Sequence, residues 1–197
     1  MKIISLGPSG VGKRSIFKRF IKDNYSDNYK MTMGFELSIY YLIYKNIKYK
    51  LHLWDTQGLE RHNALPESYL RKSDGVLFVY DLTIKESFDK LKEIYEGYKS
   101  KYKSKEKAIG VLIGNKSDEI ENRMVSSEEA IKLAREIGLK YFETSTKKDK
   151  NIKKAIASLL DQIIESQISY TDISSPCTLT STVQISSEER QGRGGCC

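Results

Sequence analysis

The sequence predicts an α/β fold in which a mostly parallel β-sheet is covered by helices on both faces. Segments with strand character alternate with segments of helical period along most of the 197 residues. Two nearly continuous apolar runs, Gly75–Tyr80 and Ala108–Ile113, have the length and composition of strands that are buried on both faces. This alternation is typical of helices packed on both sides of a parallel sheet.

The amino-terminal part predicts a strand, a helix and a hairpin. Lys2–Leu6 reads as the first strand, and the helix extends over about Lys13–Lys22. Phe35–Tyr44 and Ile47–Trp54 are rich in β-branched and aromatic residues, and the short turn Lys45-Asn46 joins them. Two such runs with a two-residue connection indicate a β-hairpin.

The rest of the chain predicts three helices and one more strand. The helices are Ile84–Lys99, Ser126–Ile137 and Asn151–Ser166, and the strand is Lys140–Glu143. Ser126 begins Ser-Ser-Glu-Glu, which is typical of a helix N-cap, and Gly138 is placed to end that helix. We expect one domain over residues 1–168 and a flexible tail rich in Ser and Thr over residues 169–197.

Composition restricts the possible functions. No apolar run is long enough to cross a bilayer, and the short start before the first glycines does not read as a signal peptide, so a cytosolic chain is expected. The net charge of +7 suits an anionic membrane surface. Nucleic-acid binding is not expected, because the Lys and Arg residues form no single block.

A glycine-rich segment between the first strand and helix predicts a phosphate-binding loop. Gly7-Pro8-Ser9-Gly10-Val11-Gly12-Lys13 matches G-x-x-x-x-G-K, in which backbone N–H groups and a lysine bind phosphate; the alternative is an ordinary turn. The pattern normally continues with Ser or Thr, but here it continues with Arg14. Ser15 comes one residue too late to replace the hydroxyl that binds Mg²⁺.

Three further motifs follow strands. Asp55-Thr56-Gln57-Gly58 supplies D-x-x-G, with a carboxylate for Mg²⁺ and a glycine N–H for a γ-phosphate. In Asn115-Lys116-Ser117-Asp118, the last carboxylate can accept two hydrogen bonds from guanine, and adenine lacks both donors. Glu143-Thr144-Ser145-Thr146-Lys147 offers a backbone N–H to the guanine oxygen. Each motif alone could be a polar turn.

In this order and spacing the four motifs resemble the Ras superfamily of small GTPases. Trp54 before the D-x-x-G motif, Glu60-Arg61 after it and the terminal Gly-Gly-Cys-Cys are similar to its Rab branch. The resemblance implies a P-loop small G domain, with a six-stranded sheet and five helices, that binds GTP and GDP with Mg²⁺. It also implies exchange factors, effectors, a GDP-dissociation inhibitor, a prenylation escort protein and a monomeric state.

The resemblance assigns roles residue by residue. The implied nucleotide contacts are Ser9, Gly10, Val11, Gly12, Lys13, Arg14, Ser15, Tyr25, Thr32, Asp55, Gly58, Asn115, Lys116, Asp118, Ser145, Thr146 and Lys147. Lys13, Thr32 and Gly58 are the implied catalytic residues, and Thr32 and Asp55 are the implied metal ligands. Tyr25 would pack edge-on against guanine, or it is an exposed loop tyrosine.

Two departures from the family pattern bear on catalysis, and a third alters the effector surface. Leu59 stands where Rab proteins have the glutamine that orients water, so slow hydrolysis is expected. Arg14 puts Mg²⁺ use in doubt. Leu37, Trp54 and Tyr69 match the aromatic effector triad, with Leu37 replacing Phe. Trp54 is either an interface anchor or a core residue.

The terminal Cys196 and Cys197 resemble the Rab ending that carries two geranylgeranyl groups. Two chains anchor a protein stably where one does not. The expected location is the cytoplasmic face of a membrane, with a cytosolic pool. The main functional hypothesis is a GTP/GDP switch in vesicle trafficking, and a pseudo-GTPase held in one nucleotide state is the alternative. The motif Asn115-Lys116-Ser117-Asp118 argues against a P-loop kinase or ATPase.

Overall fold

A computed structural model describes residues 1–22, 36–56, 70, 72–101 and 109–171. Its strands are β1 (Lys2–Leu6), β2 (Glu36–Tyr44), β3 (Ile47–Asp55), β4 (Gly75–Asp81), β5 (Gly110–Asn115) and β6 (Lys140–Glu143). Its helices are α1 (Lys13–Lys22), α2 (Lys85–Lys101), α3 (Ser127–Ile137) and α4 (Ile152–Thr171). The elements alternate as the sequence predicts.

The six strands form one sheet in the order β2-β3-β1-β4-β5-β6. Only the β2–β3 pair is antiparallel; the other neighbours pair in parallel. The predicted mostly parallel, six-stranded α/β sheet is therefore confirmed. The described ranges contain four helices, and the fifth helix that the resemblance implies stays a prediction.

Strand β4 runs through the centre of the sheet and is buried along its whole length. Val76, Phe78 and Tyr80 pack in a core cluster with residues of α2 and α3. Leu77 and Val79 pack in a second cluster with residues of α1 and α4. Successive side chains of a strand point to opposite faces, so a continuous apolar run is what two covered faces require.

The turn between β2 and β3 consists of Lys45 and Asn46, which both have positive φ angles of 49° and 63°. Positive φ at both central positions is typical of a type I′ turn, whose twist matches that of the paired strands. The predicted hairpin is confirmed, with nine cross-strand pairs from Glu36–Asp55 to Tyr44–Ile47.

The ends of α3 agree with the predicted caps. The Ser126 hydroxyl accepts from the backbone N–H of Glu129, and the Glu129 carboxylate accepts from the backbone N–H of Ser126. Gly138 ends the helix in the left-handed conformation, with φ 71°. These contacts satisfy backbone groups that a helix end otherwise leaves without partners.

Several elements end later in the chain than the hydrophobic pattern predicts. β4 ends at Asp81 and β5 at Asn115, which pair with each other at the end of a parallel ladder. Polar residues continue these strands because their side chains find partners at the sheet edge. α4 extends to Thr171, five residues beyond the predicted Ser166. Within the described ranges, no helix combines the length and apolar character that crossing a membrane requires.

Candidate functional site

The predicted motifs converge at one edge of the sheet. β1, β3, β4, β5 and β6 run in the same direction, so their carboxyl ends lie side by side. Loops that follow these ends supply the phosphate loop, the D-x-x-G carboxylate and both predicted guanine motifs. In open α/β sheets this edge is where ligands bind.

Two glycines of the phosphate loop lie against other parts of the chain. Gly7 has φ 151°, and a Cβ there would stand 1.9 Å from the carbonyl oxygen of Val79. Gly12 has φ 98°, and its Cβ would stand 2.3 Å from the side-chain nitrogen of Asn115. Any side chain at either position would push the loop off the sheet.

Lys13 lies folded over the loop that precedes it. Its side chain is buried, and its ammonium donates to the carbonyl oxygens of Gly7 and, at 3.0 Å, Pro8. A buried ammonium in this position gives the loop a positive charge that adds to the helix N-terminus behind it. Ser9, Gly10 and Ser15 lie in the same loop or the first turn of α1.

Arg14 directly follows Lys13 and forms an ion pair with Glu36, the first residue of β2. The distance between guanidinium Nη2 and carboxylate Oε2 is 2.5 Å, and the side chains are 31% and 42% exposed. The position that offers a hydroxyl in the usual motif here carries a cation with its own counter-ion.

Asp55 ends β3 beside the phosphate loop and is buried. Its Oδ1 accepts a hydrogen bond from Ser5 at 3.3 Å, and Thr56 donates to the Ser5 carbonyl at 2.9 Å. The first contact holds the Asp55 carboxylate against β1. Ser5, the partner in both contacts, lies on the strand that leads into the phosphate loop.

Asn115 joins three loops. Its side-chain amide donates to the Val11 carbonyl in the phosphate loop at 2.9 Å, and its side-chain oxygen accepts from Thr144 at 3.1 Å. The Thr144 N–H in turn donates to the carbonyl of Gly114 at 2.8 Å. The buried Asn115 thereby sets the distance between the phosphate loop and both predicted guanine motifs.

Lys116 pairs with a carboxylate that sequence reasoning did not single out. Its ammonium lies 2.5 Å from Oδ2 of Asp81, whose side chain is fully buried at the end of β4. The other oxygen of Asp81 accepts from the backbone N–H and the hydroxyl of Thr83. The detectable signal was Asp81 itself, a lone acid directly after the buried run Gly75–Tyr80.

Asp118 and Ser145 connect the two guanine motifs. The Ser145 hydroxyl donates to Oδ1 of Asp118 at 2.6 Å, and the Ser145 oxygen also accepts from the backbone N–H of Lys148. The hydrogen bond from Ser145 to one oxygen of Asp118 therefore fixes the orientation of the carboxylate. A carboxylate held this way can accept hydrogen bonds from a base.

Arg19 on α1 was also missed by sequence reasoning. Its Nε donates to the carbonyl of Thr146 at 2.8 Å and its Nη2 to the carbonyl of Lys147 at 3.1 Å. The helix that begins at the phosphate loop thus also holds the predicted guanine-oxygen loop. No local pattern reveals this contact, because 127 residues separate Arg19 from Thr146.

Behind this loop, Glu143 is the centre of a polar network. Arg123 donates to both of its carboxylate oxygens, and Ser127 and Tyr141 each donate to Oε1. The hydrogen bonds from Arg123 lower the pKa of Glu143 to about 2. Burial raises the pKa of the neighbouring Tyr141, which therefore stays a neutral donor. The network fixes the strand end that leads into Thr144.

The described residues fit a magnesium ion only in part. Asp55 offers a buried carboxylate, but Arg14 cannot ligate a cation. The described ranges contain no group of three or more His, Cys, Asp or Glu side chains that could hold a metal. Among the described residues, the expected magnesium ligands therefore lack the hydroxyl at position 14 and keep the Asp55 carboxylate.

Several predicted positions lie outside the described residues. They are Tyr25, Thr32, Gly58, Leu59, Tyr69, Cys196 and Cys197. Their assigned roles stay predictions.

The predicted effector residues Leu37 and Trp54 are direct partners across β2 and β3. Trp54 is partly buried against the core, and the Lys2 ammonium lies 5.4 Å from its ring centroid. It therefore contacts the core while keeping one side accessible. The exposed apolar row continues along β2 through Ile39, Tyr41 and Ile43.

Comparison with known proteins agrees with this geometry. A model of the Ras family matches residues 2–165. The chain belongs to the Ras family. It is 36% identical to Ras-related protein Rab-13 of Canis lupus familiaris over 163 residues, which cover 83% of this chain and 79% of that relative. It is 34% identical to RABD1 of Arabidopsis thaliana over 197 residues, covering 100% of this chain and 95% of that relative.

A third relative is Ras-related protein Rab-1 of Theileria parva, 37% identical over 169 residues that cover 86% of this chain and 76% of that relative. These relatives confirm the predicted resemblance to Rab-like small GTPases. The family binds guanine nucleotide, usually with Mg²⁺, and has GTPase activity and a switch function in vesicle trafficking.

The Glu143 network predicts a pH-dependent loss of stability. Glu143→Gln should lower the free energy of unfolding at pH 7 by about 2 kcal/mol, allowing for partial solvent screening. Because the folded-state pKa lies below the usual value, this contribution is present above about pH 4.5 and lost as the pH falls towards 2. Urea unfolding at stepped pH should show the gap to the wild type closing over that window.

The matched control is Glu86→Gln, which removes an exposed ion pair with Lys90 on α2. Its difference from the wild type should stay within about 0.5 kcal/mol. A gap for Glu143→Gln that is independent of pH would contradict the argument.

Proposed function

We propose that this chain is a membrane-anchored GTP/GDP switch of the Rab type with slow intrinsic hydrolysis. The observation that carries the proposal is the hydrogen bond from Asn115 to Val11, because it holds the phosphate loop and the guanine motifs at a fixed separation. A nucleotide bound at the sheet edge would place its phosphates at Lys13 and its base at Asp118. The family's known binding of guanine nucleotide supports this placement.

Guanine selectivity rests on Asp118. Its carboxylate accepts from the ring N–H and the exocyclic amine of guanine, while Ser145 holds its other side. The backbone near Ser145 and Thr146 faces the guanine oxygen, and Arg19 fixes the carbonyls of that same loop. Lys116, anchored by Asp81, would lie along the nucleotide.

Hydrolysis is proposed to be slow for two reasons. Phosphoryl transfer needs charge neutralisation between the β- and γ-phosphates and an oriented water. Arg14 takes the place of the hydroxyl that usually holds the neutralising Mg²⁺ ion. The isobutyl group of Leu59 cannot orient the attacking water. Thr32 and Gly58 are the remaining candidates for contact with the γ-phosphate. Nucleotide affinity should depend less on Mg²⁺ than in ordinary relatives.

A second candidate function is a pseudo-GTPase that acts as a tethered interaction module. The specific observation in its favour is the ion pair between Arg14 and Glu36, which occupies the position of the usual metal ligand. Both candidates share the effector surface of Leu37, Trp54 and Tyr69. Single-turnover hydrolysis with and without Mg²⁺ separates them.

Membrane attachment is proposed to depend on two geranylgeranyl groups at Cys196 and Cys197. An escort protein would present the tail for prenylation, and a GDP-dissociation inhibitor would extract the chain into a cytosolic pool. Exchange factors and effectors are expected to bind the nucleotide-dependent surface of a monomer.

Asp118→Asn should weaken GTP binding, because the amide replaces one accepting carboxylate oxygen by an NH2 donor, which faces one of guanine's two donors. The loss should be roughly 2–4 kcal/mol, and xanthosine nucleotides should gain affinity. Isothermal titration with GTP, XTP and ATP measures both effects. Asp149→Asn, an exposed acid near the same loop, is the control. Equal wild-type affinity for ATP and GTP would refute the assignment.

Wild-type GTP hydrolysis should be a hundredfold or more slower than that of an ordinary Rab protein, a difference on the order of 3 kcal/mol in the barrier. Single-turnover assays on Leu59→Gln, Arg14→Ser and the double variant assign the cause. If only the double variant is fast, both residues limit the rate. A wild-type rate equal to that of an ordinary Rab protein, measured side by side, would overturn this interpretation.

Replacing both terminal cysteines by serine should release the protein from membranes in cells. Each buried CH₂ contributes about 0.8 kcal/mol, so a single replacement should leave partial, reversible binding. Fractionation with quantitative blotting measures the membrane-bound share. Cys177→Ser is the matched control and should remain bound. A double variant that still sediments with membranes contradicts the lipid proposal.

A further inference from the structure

The Arg14–Glu36 pair connects two parts of the site that bear on nucleotide binding. Arg14 lies in the first turn of α1, next to the phosphate-loop Lys13. Glu36 begins β2 and stands directly across from Asp55 in the β2–β3 ladder. One guanidinium therefore lies between the phosphate loop and an edge that carries two carboxylates.

The ion pair between Arg14 and Glu36 is partly exposed, so it forms in the structure but is weak enough for a stronger anion to replace Glu36. Both side chains are about one-third exposed or more, and ion pairs of this exposure change an equilibrium constant by no more than about fivefold. A phosphate offers a guanidinium several charged oxygens in a fork geometry, which binds more strongly than one exposed carboxylate. A polyphosphate bound in the loop should therefore displace Glu36 as the partner of Arg14.

We propose that Arg14 exchanges between Glu36 and a nucleotide β- or γ-phosphate, with Glu36 as the competing counter-ion. This inference rests on the proposed nucleotide site. Glu36 weakens polyphosphate binding in two ways: it occupies Arg14, and its own charge repels phosphate. It is a positioning residue for Arg14 and takes no part in bond breaking.

The exchange of Arg14 between its two partners would also change the charge at the start of β2, where Glu36 lies. When Arg14 turns to a phosphate, the Glu36 carboxylate loses its partner at the residue next to Leu37, at the end of the exposed apolar row. Phosphate occupancy thereby changes the charge presented beside Leu37 and Trp54. The ion pair of Arg14 and Glu36 is the direct contact through which the phosphate loop would act on β2.

The test is a double-mutant cycle on the full chain in EDTA, with GDP affinity measured by titration. Glu36→Gln should tighten GDP binding about fivefold in the wild-type background. In the Arg14→Ser background the same change should have no more than about a twofold effect, because only the repulsion remains. GMP has no β-phosphate, so its affinity should change by less than twofold in either background.

Three controls keep the result interpretable. Glu36→Asp keeps the charge and should bind GDP like the wild type. Glu86→Gln removes an exposed acid from a distant ion pair and should have no effect. Thermal unfolding of each variant verifies that the fold is kept.

Equal tightening in both backgrounds, or weaker GDP binding by Glu36→Gln, would overturn the exchange while leaving the nucleotide site intact. Absence of GDP binding by the wild type and by Arg14→Ser supplied with Mg²⁺ would instead overturn the proposed function, and the exchange with it.

Discussion

The buried hydrogen bond between the side chain of Asn115 and the carbonyl of Val11 is the contact on which the rest of the site depends. It joins residues 104 positions apart and leaves no room for a side chain at Gly12. A buried amide without a partner costs about 1–3 kcal/mol, so the two loops are held in one register. Through Thr144 the same side chain also positions the third loop.

Two further sets of side-chain contacts hold this arrangement. Arg19 reaches from α1 to the loop carbonyls of Thr146 and Lys147. Glu143 is held from behind by Arg123, which also donates to the Val125 carbonyl beside the α3 cap. Side chains from α1 and from the segment before α3 therefore fix the loop that is proposed to contact guanine. The short loop sequence does not have to be rigid by itself.

Much of the fold was predictable because its signals are local. The hairpin follows from the composition of two strands and a two-residue turn, and the α3 cap from Ser126 and Glu129 three residues apart. The prediction of the phosphate loop rested on the glycine spacing, the lysine that follows it and its position between a strand and a helix. In each case the residues that carry the signal are close in sequence, so periodicity and turn chemistry are sufficient.

The parts that sequence reasoning missed depend on contacts between distant segments. Arg14 was expected to contact the nucleotide, and no local pattern indicates that it pairs with Glu36 at the start of β2. Asp81 was overlooked because a single acid after an apolar run resembles an ordinary strand end. Its role appears only when parallel pairing sets it beside Asn115 and within reach of Lys116.

The outer edge of β2 has a consequence for how the protein behaves at high concentration. Within the described residues β2 is the last strand of the sheet, and it exposes Leu37, Ile39, Tyr41 and Ile43 in one row. An exposed apolar edge strand offers unpaired backbone groups with which a strand of another molecule can pair. On β3 the neighbouring Lys48 and Lys50 lie 5.9 and 5.8 Å from the Tyr41 ring centroid. Lysine charges beside an edge strand oppose the approach of a second copy, so we expect acetylation of these lysines or concentrated salt to favour association through this edge.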